Sequence, residues 1–386
     1  MVTIPTLVQG APLRLSIKAK SAIIMNADNG AILYERNAYD LQYPASITKV
    51  ATALYALKNI EDFDVMVAGT QEAIGAISPA AKKKLRYTKP AYWLEFGSSH
   101  MGIKKGEALP LRILFYGMLL SSANDASNLI AEHVSGSVPA FMKDLNTYLR
   151  DEVGCKNTTF HNPHGLYFPG HQTTAYDMAL IAREAIKNSF FRDVIMITKY
   201  QRPKTNKQEA TWMPAYNRLV KKSSKYYYPY AFGIKTGYCS EAQNTFVTIA
   251  EKDGRTLIAV LFHYDEREDM FQDAIKMFET AFKEKKVQRR ILKKGVQKAS
   301  LKIDKSSRAL EVTIADDVVF DDYPSEEQEL KALVHWNKDL SLPVQKGEYV
   351  GDIHIINARN ETIQKIPLSA KKAVTMSWYH KIRSWF

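Results

Sequence analysis

Two apolar runs, Thr245-Phe246-Val247-Thr248-Ile249-Ala250 and Thr256-Leu257-Ile258-Ala259-Val260-Leu261-Phe262, flank the turn pair Asp253-Gly254. This stretch restricts the fold of the chain more tightly than any other. Asp-Gly between two β-rich runs is the chemistry of a tight hairpin turn, so the runs predict two antiparallel strands. A third run, Ala231-Phe232-Gly233-Ile234, precedes them. Met270, Phe271, Ala274, Met277, Phe278, Ala281 and Phe282 then recur at helical spacing, which predicts a long amphipathic helix packed on something apolar. Near the start, Ser21–Met25 and Ala31–Tyr34 surround the turn signal Asp28-Asn29-Gly30 and predict a second hairpin. Between the two sets lie Val50–Leu57, Leu111–Leu120 and Ala126–His133, which read as buried helices. Strands at both ends with helices between predict an α+β domain whose sheet joins the early hairpin to the later strands.

The pattern changes at the charged string Lys283-Glu284-Lys285-Lys286-Val287-Gln288-Arg289-Arg290. Short alternating runs follow at Ala299–Ile303, Leu310–Ile314, Leu330–Val334 and Val350–Ile355. Regularly spaced short strands predict a small β-sandwich or barrel. The expected division is therefore residues 1–286, a small all-β domain at 287–370, and a tail at 371–386. In that tail Val374, Trp378, Ile382 and Trp385 fall on one helical stripe, with Lys371, Lys372, Lys381 and Arg383 around it. Such a helix suits a membrane interface; a terminal helix docked on its own protein fits the pattern as well.

With 386 residues and an ordinary globular composition, the chain is neither disordered nor low in complexity. It has no run of about 18 apolar residues, so no membrane-spanning helix is expected. Its formal charge of +12 suits an acidic neighbour, such as anionic lipid, an acidic polymer or nucleic acid. Met1-Val2-Thr3-Ile4-Pro5 lacks the marks of an export signal, which fits a cytoplasmic protein or a mature chain whose signal has been removed. Cys155 and Cys239 make no disulfide framework.

Ser46-Ile47-Thr48-Lys49 has the form S-x-x-K at the start of a predicted helix. Ser46 and Lys49 then share one face, beside unpaired backbone N–H groups that receive developing negative charge. A free lysine has a pKa near 10.4; a neutral amine at pH 7 needs a drop of about 3 units, or roughly 4 kcal/mol. Burial and a second cation can supply it. Taken alone, the motif also fits a helix cap followed by a solvated lysine. Two further signals change the balance. Ser122-Ala123-Asn124 opens a predicted helix, and Lys235-Thr236-Gly237 ends a predicted strand. S-x-x-K, S-x-N and K-T-G in that order form the constellation of penicillin-binding proteins and serine β-lactamases.

With these motifs the chain resembles the D-alanyl-D-alanine carboxypeptidases among the low-molecular-mass penicillin-binding proteins. The likeness extends to Phe160–Leu166, Gly170–Ala179 and Pro343–Gly351. It implies a β-lactamase/transpeptidase-like domain with an antiparallel sheet flanked by helices, followed by the family's C-terminal β-domain. It also implies a periplasmic or extracytoplasmic enzyme resting on the outer face of the cytoplasmic membrane through its tail. The substrate would be a peptidoglycan stem peptide ending in D-Ala-D-Ala, and β-lactams would acylate the enzyme; neither a cofactor nor nucleic acid enters. Carried over by residue, Ser46 attacks the peptide carbonyl and Lys49 takes its proton. Ser122 relays a proton to the leaving amine, while Asn124 binds the substrate amide or fixes Lys49. Lys235 and Thr236 hold the terminal carboxylate. Gly237 lets the strand approach, and the backbone N–H of Tyr238 joins that of Ser46 as an oxyanion hole. Arg218 is a candidate for assisting with the carboxylate, or else a surface cation.

Some features depart from the family pattern. Lys82–Lys89 lengthens the interval between the first two motifs and reads most simply as a solvated basic loop. Tyr238-Cys239-Ser240 replaces the usual small residues after K-T-G. His161, His164 and His171 lack an acidic or cysteine partner at ligand spacing, so no metal is expected. A β-lactamase would need a carboxylate to activate the deacylating water, and no Glu-x-x-Leu-Asn stretch lies between Ser122 and Lys235. Endopeptidase, transpeptidase and an inactive wall-binding relative remain alternatives within the same constellation.

Overall fold

The structure, a computed structural model, describes residues 3–6, 11–327, 330–357 and 360–383. The chain divides into two compact units, Leu13–Lys283 and Glu284–Phe386 with Met1–Pro12. The first unit is built on a five-stranded antiparallel sheet. Its strand order is Ala231–Cys239, Gln243–Lys252, Arg255–Tyr264, Ser21–Asn26 and Ile32–Arg36. The early hairpin and the later strands thus share one sheet, through pairs such as Ile258 with Met25. Asp253 and Gly254 both take positive φ, 53° and 73°, as a tight hairpin turn requires.

The central strands are apolar at nearly every position because both faces of the sheet are covered. Ile23, Met25, Val247, Ile249, Ile258, Val260 and Phe262 enter one core. That core also holds residues of helices Thr48–Lys58, Leu111–Leu120, Asn124–Ser135, Val138–Tyr148 and Ala175–Ala185. The alternate residues Ala22, Ile24, Phe246, Ala250, Leu257, Ala259 and Leu261 enter a second core with Met270, Phe271, Ala274, Met277 and Phe278 of helix Arg267–Phe282. Side chains alternate across a strand, so a run buried on both sides must be apolar throughout.

The second unit is β apart from the short turn Pro324–Glu326 and a terminal helix. A six-stranded antiparallel sheet runs in the order Thr3–Thr6, Leu330–Trp336, Tyr349–Ile356, Thr362–Ala370, Leu310–Ile314, Gly295–Leu301. Val287–Leu292 and Val318–Asp322 pair separately. Two expectations need correction. Residues 1–12 group with this unit and not with residues 13–283, because Thr3–Thr6 pairs with Leu330–Leu333 and supplies the edge strand of its sheet. The tail is not helical from 371. Val374 bridges Val344, is buried, and joins the β core, while Met376 bridges Ser306. Only Trp378–Arg383 is helix, and Trp385 lies outside the described residues. The extended bridges of Val374 to Val344 and of Met376 to Ser306 exclude one continuous helical stripe through Val374.

Candidate active site

Ser46 sits in a single 3-10 turn, Ala45–Ile47, that runs directly into helix Thr48–Lys58. The helix is apolar on the faces that bury it, and this carries Lys49 completely inside the protein. Its Nζ donates to the His164 carbonyl at 2.6 Å and to Asn124 Oδ1 at 2.7 Å, and lies 3.1 Å from Ser46 Oγ. A neutral amine has two N–H bonds and one lone pair. The carbonyl and the amide oxygen can only accept, so they take the two N–H bonds. The lone pair then faces the Ser46 hydroxyl. Burial, and next the positive charge of Lys235, hold Lys49 well below the usual lysine range, while the Asp125 carboxylate acts in the opposite direction.

The second wall begins where helix Leu111–Leu120 stops. Ser122 is buried and has φ +60°, a left-handed conformation that costs a residue with a side chain about 1–2 kcal/mol. The turn lets helix Asn124–Ser135 start at once, with Asn124 reaching Lys49. Asp125 anchors this start, since its buried carboxylate accepts the backbone N–H groups of Met101 and Ile103.

The third wall is the edge strand Ala231–Cys239. Gly237 needs to be glycine: a Cβ there would stand 2.8 Å from Ser46 N and 2.4 Å from Thr245 Oγ1. The strand therefore runs hard against the backbone N–H of the proposed nucleophile. Thr245 Oγ1 donates to the Pro44 carbonyl at 2.8 Å and ties the next strand to the same turn. Lys235 is buried, donates to the Thr236 carbonyl at 2.8 Å, and is pushed down to about 7 by burial and then by the positive field of Arg267.

The three walls enclose an open cleft of about 810 Å³, lined among others by Ser46, Ser122, Asn124, Thr236, Gly237 and Arg267. Lys49 and Lys235 stand behind this lining. Tyr238 also lines the cleft and is 63% exposed. Arg218 does not line it; it pairs with Glu268 at 2.7 Å, so the surface-cation reading describes its position. Arg267, at the start of helix Arg267–Phe282, does line the cleft, as Lys82 and Lys83 do on another side. No motif marks it, since it arrives by the packing of a helix with its own amphipathic logic.

The basic segment is a solvated loop only in part: Lys83–Arg86, Thr88 and Lys89 are exposed, but its first residues close a helix. Pro79–Lys84 is a helix capped by Ser78, and Lys82 is buried. Lys82 Nζ meets Glu95 at 2.7 Å and the Tyr167 carbonyl at 3.1 Å. Cys239 lines the cleft as a free thiol pushed up to about 11, chiefly by burial, which leaves little thiolate for reaction. The two buried histidines have internal partners. His164 contacts the Tyr92 carbonyl through Nε2 and the Leu166 N–H through Nδ1; His171 contacts Thr48 and the His161 N–H.

Comparison with known proteins places the chain in a family and a fold. The D-alanyl-D-alanine carboxypeptidase family matches residues 7–266, and the C-terminal domain of penicillin-binding protein 5 matches residues 287–376. A D-alanyl-D-alanine carboxypeptidase, DacF of Bacillus subtilis, is 29% identical over 361 residues, which are 93% of this chain and 86% of that protein. The crystal structure of the carboxypeptidase DacD from Francisella tularensis superposes with a TM-score of 0.64 at 22% identity, covering 97% of this chain and 98% of the other. Penicillin-binding protein 5 from Haemophilus influenzae does so with a TM-score of 0.63 at 24% identity, covering 95% and 100%. At these identities the two structures speak for the fold.

Proposed function

The chain belongs to the D-alanyl-D-alanine carboxypeptidase family, and on that premise we propose a serine DD-carboxypeptidase whose nucleophile is Ser46 and whose general base is Lys49. The observation that carries this reading is the buried Lys49 amine. Its two short bonds go to obligate acceptors, and its remaining position faces Ser46 Oγ. The uncharged amine takes the hydroxyl proton as Oγ attacks the carbonyl between two D-alanines. The backbone N–H groups of Ser46 and Tyr238 receive the oxyanion, with Gly237 allowing their approach. Ser122 passes a proton to the leaving D-alanine, and water hydrolyses the acyl-enzyme.

The substrate is a peptidoglycan stem peptide lying along the edge strand, whose outer flank has no strand partner among the described residues. Its terminal carboxylate meets Lys235, Thr236 and Arg267, a pair of cations that favours a free C-terminus over a blocked one. A β-lactam presents the same two features, a reactive amide carbonyl and a nearby carboxylate, and acylates Ser46. Such a substrate puts the enzyme outside the cytoplasm. The exposed Trp378 and Tyr379 of the terminal helix, on a chain of charge +12, support peripheral contact with an anionic membrane. No helix among the described residues is long and apolar enough to cross one.

The test is incubation with a muropeptide ending in D-Ala-D-Ala, followed by mass spectrometry of peptide, D-alanine and protein. The expected products are a peptide shortened by one residue and free D-alanine, with penicillin-treated protein modified at Ser46. The Ser46→Ala variant should lose both, a fall of at least about 1000-fold. Persisting activity in that variant removes Ser46 as nucleophile.

A further inference from the structure

The imidazole of His171 takes no part in the chemistry above, yet it is wholly buried beside the turn that carries Ser46. That turn is held in an unfavourable shape. Ala45 has φ +50°, a left-handed conformation that costs a residue with a Cβ about 1–2 kcal/mol. Its carbonyl is thereby pressed against Gly165, where a Cβ would stand 1.9 Å from Ala45 O.

A chain of hydrogen bonds ends on the same carbonyl. Thr48 Oγ1 donates its single proton to Ala45 O at 2.8 Å. With that proton used, Oγ1 can only accept from His171 Nε2, 2.9 Å away. Nε2 must therefore carry the ring proton. The other side of the ring agrees, because Nδ1 accepts the His161 N–H at 3.0 Å. One neutral imidazole, with a proton on Nε2 and a lone pair on Nδ1, satisfies every group in the chain. Burial, then the neighbouring His161, Lys82 and Lys49, push this ring down to about 3. Phe160 stacks on it at 5.0 Å and fixes its plane.

We infer that His171 is a positioning residue. Its Nε2–H, relayed through the Thr48 hydroxyl to the Ala45 carbonyl, locks the left-handed turn that aims Ser46 Oγ and Ser46 N–H at the substrate carbonyl. The inference rests on the reading of Ser46 as nucleophile. It assigns the strain at Ala45 a use, since relaxing this turn would move the attacking oxygen and one oxyanion donor together.

The test uses the full chain and a fluorescent penicillin, with the acylation rate constant measured per titrated active site. Thr48→Val keeps the shape of the side chain and removes the relay. It should slow acylation about 10- to 100-fold while the dissociation constant of the non-covalent penicillin complex stays within about twofold. Thr48→Ser restores the hydroxyl and should stay within about threefold of the wild type. His171→Gln supplies an N–H at similar reach and should retain more activity than His171→Leu. Adding His171→Leu to Thr48→Val should cost nothing further, since one chain is cut twice. Acylation of Thr48→Val at the wild-type rate, or no recovery in Thr48→Ser, overturns the inference. Nitrogen NMR of the ring decides independently of activity. The Nε2–H tautomer is expected, with its signal displaced in Thr48→Val; an Nδ1–H tautomer overturns the relay. Wild-type protein that penicillin does not acylate at Ser46 would instead refute the nucleophile, leaving the relay to be judged by the NMR result.

Discussion

Lys49 and Lys235 are both buried lysines, and both are pushed below the ordinary lysine range chiefly by burial, but the proposed mechanism asks opposite things of them. A base must be neutral before substrate arrives; a carboxylate anchor must be charged once it has arrived. Lys235, at about 7, is poised between the two forms near neutral pH. At pH below about 7 it already carries its proton and KM should be flat. Above that pH the free enzyme holds a neutral amine, so each bound carboxylate must bring a proton with it. KM should then climb by up to about tenfold per pH unit. Initial rates against D-Ala-D-Ala peptide from about pH 6 to pH 9 measure this, and a flat KM would take Lys235 out of carboxylate recognition. The motifs themselves were readable one residue at a time. S-x-x-K on a helix puts hydroxyl and amine on one face, and a glycine after Lys-Thr signals close backbone approach. Arg267 was not readable, because nothing local distinguishes it from Arg218 and only the placement of its helix turns it toward the cleft.

At the scale of elements, the cleft exists because three chain segments end at one place: a helix start at Lys49, a tight turn at Ser122 and a sheet edge at Lys235. The Pro79–Lys84 helix adds a fourth wall through Lys82, which ties Glu95 and the Tyr167 carbonyl together. The side chains of this pair are 2% and 18% exposed. Cutting it from one side leaves a largely buried carboxylate without its cation. Lys82→Met should lower unfolding stability by about 3 kcal/mol, and adding Glu95→Gln should recover part of that loss. Urea denaturation measures both; an unchanged midpoint for Lys82→Met would mean that Glu95 finds water or another partner. From the sequence this segment looked like a solvated loop, because a run of lysines carries no sign of which one a distant glutamate will meet. The hairpins and the long helix were legible for the opposite reason: their turn residues and apolar spacing are local.

Across the whole molecule, the peptidase unit and the β unit each close a core of their own, and the tail belongs to the second. Val374 is part of that core, so removing residues from 371 onward would take a core side chain as well as the terminal helix. The informative deletion starts at Trp378. It should leave D-alanine release unchanged and reduce binding to anionic liposomes at least about tenfold, as co-sedimentation would show. Full binding by the shortened chain would remove the terminal helix as the membrane contact.

The sequence by itself determined what depends on neighbours along the chain: strand runs with their turns, the amphipathic helices, the change of pattern before residue 287, and three motifs whose order identifies the chemistry. Only the tertiary structure decided that Arg267 faces the cleft, that the first strand completes the second unit's sheet, that Lys82 is buried, and that His171 stands behind the turn carrying Ser46. These are pairings between residues far apart in sequence. Periodicity and turn chemistry report the environment of one short segment, whereas such pairings are set by how whole segments pack.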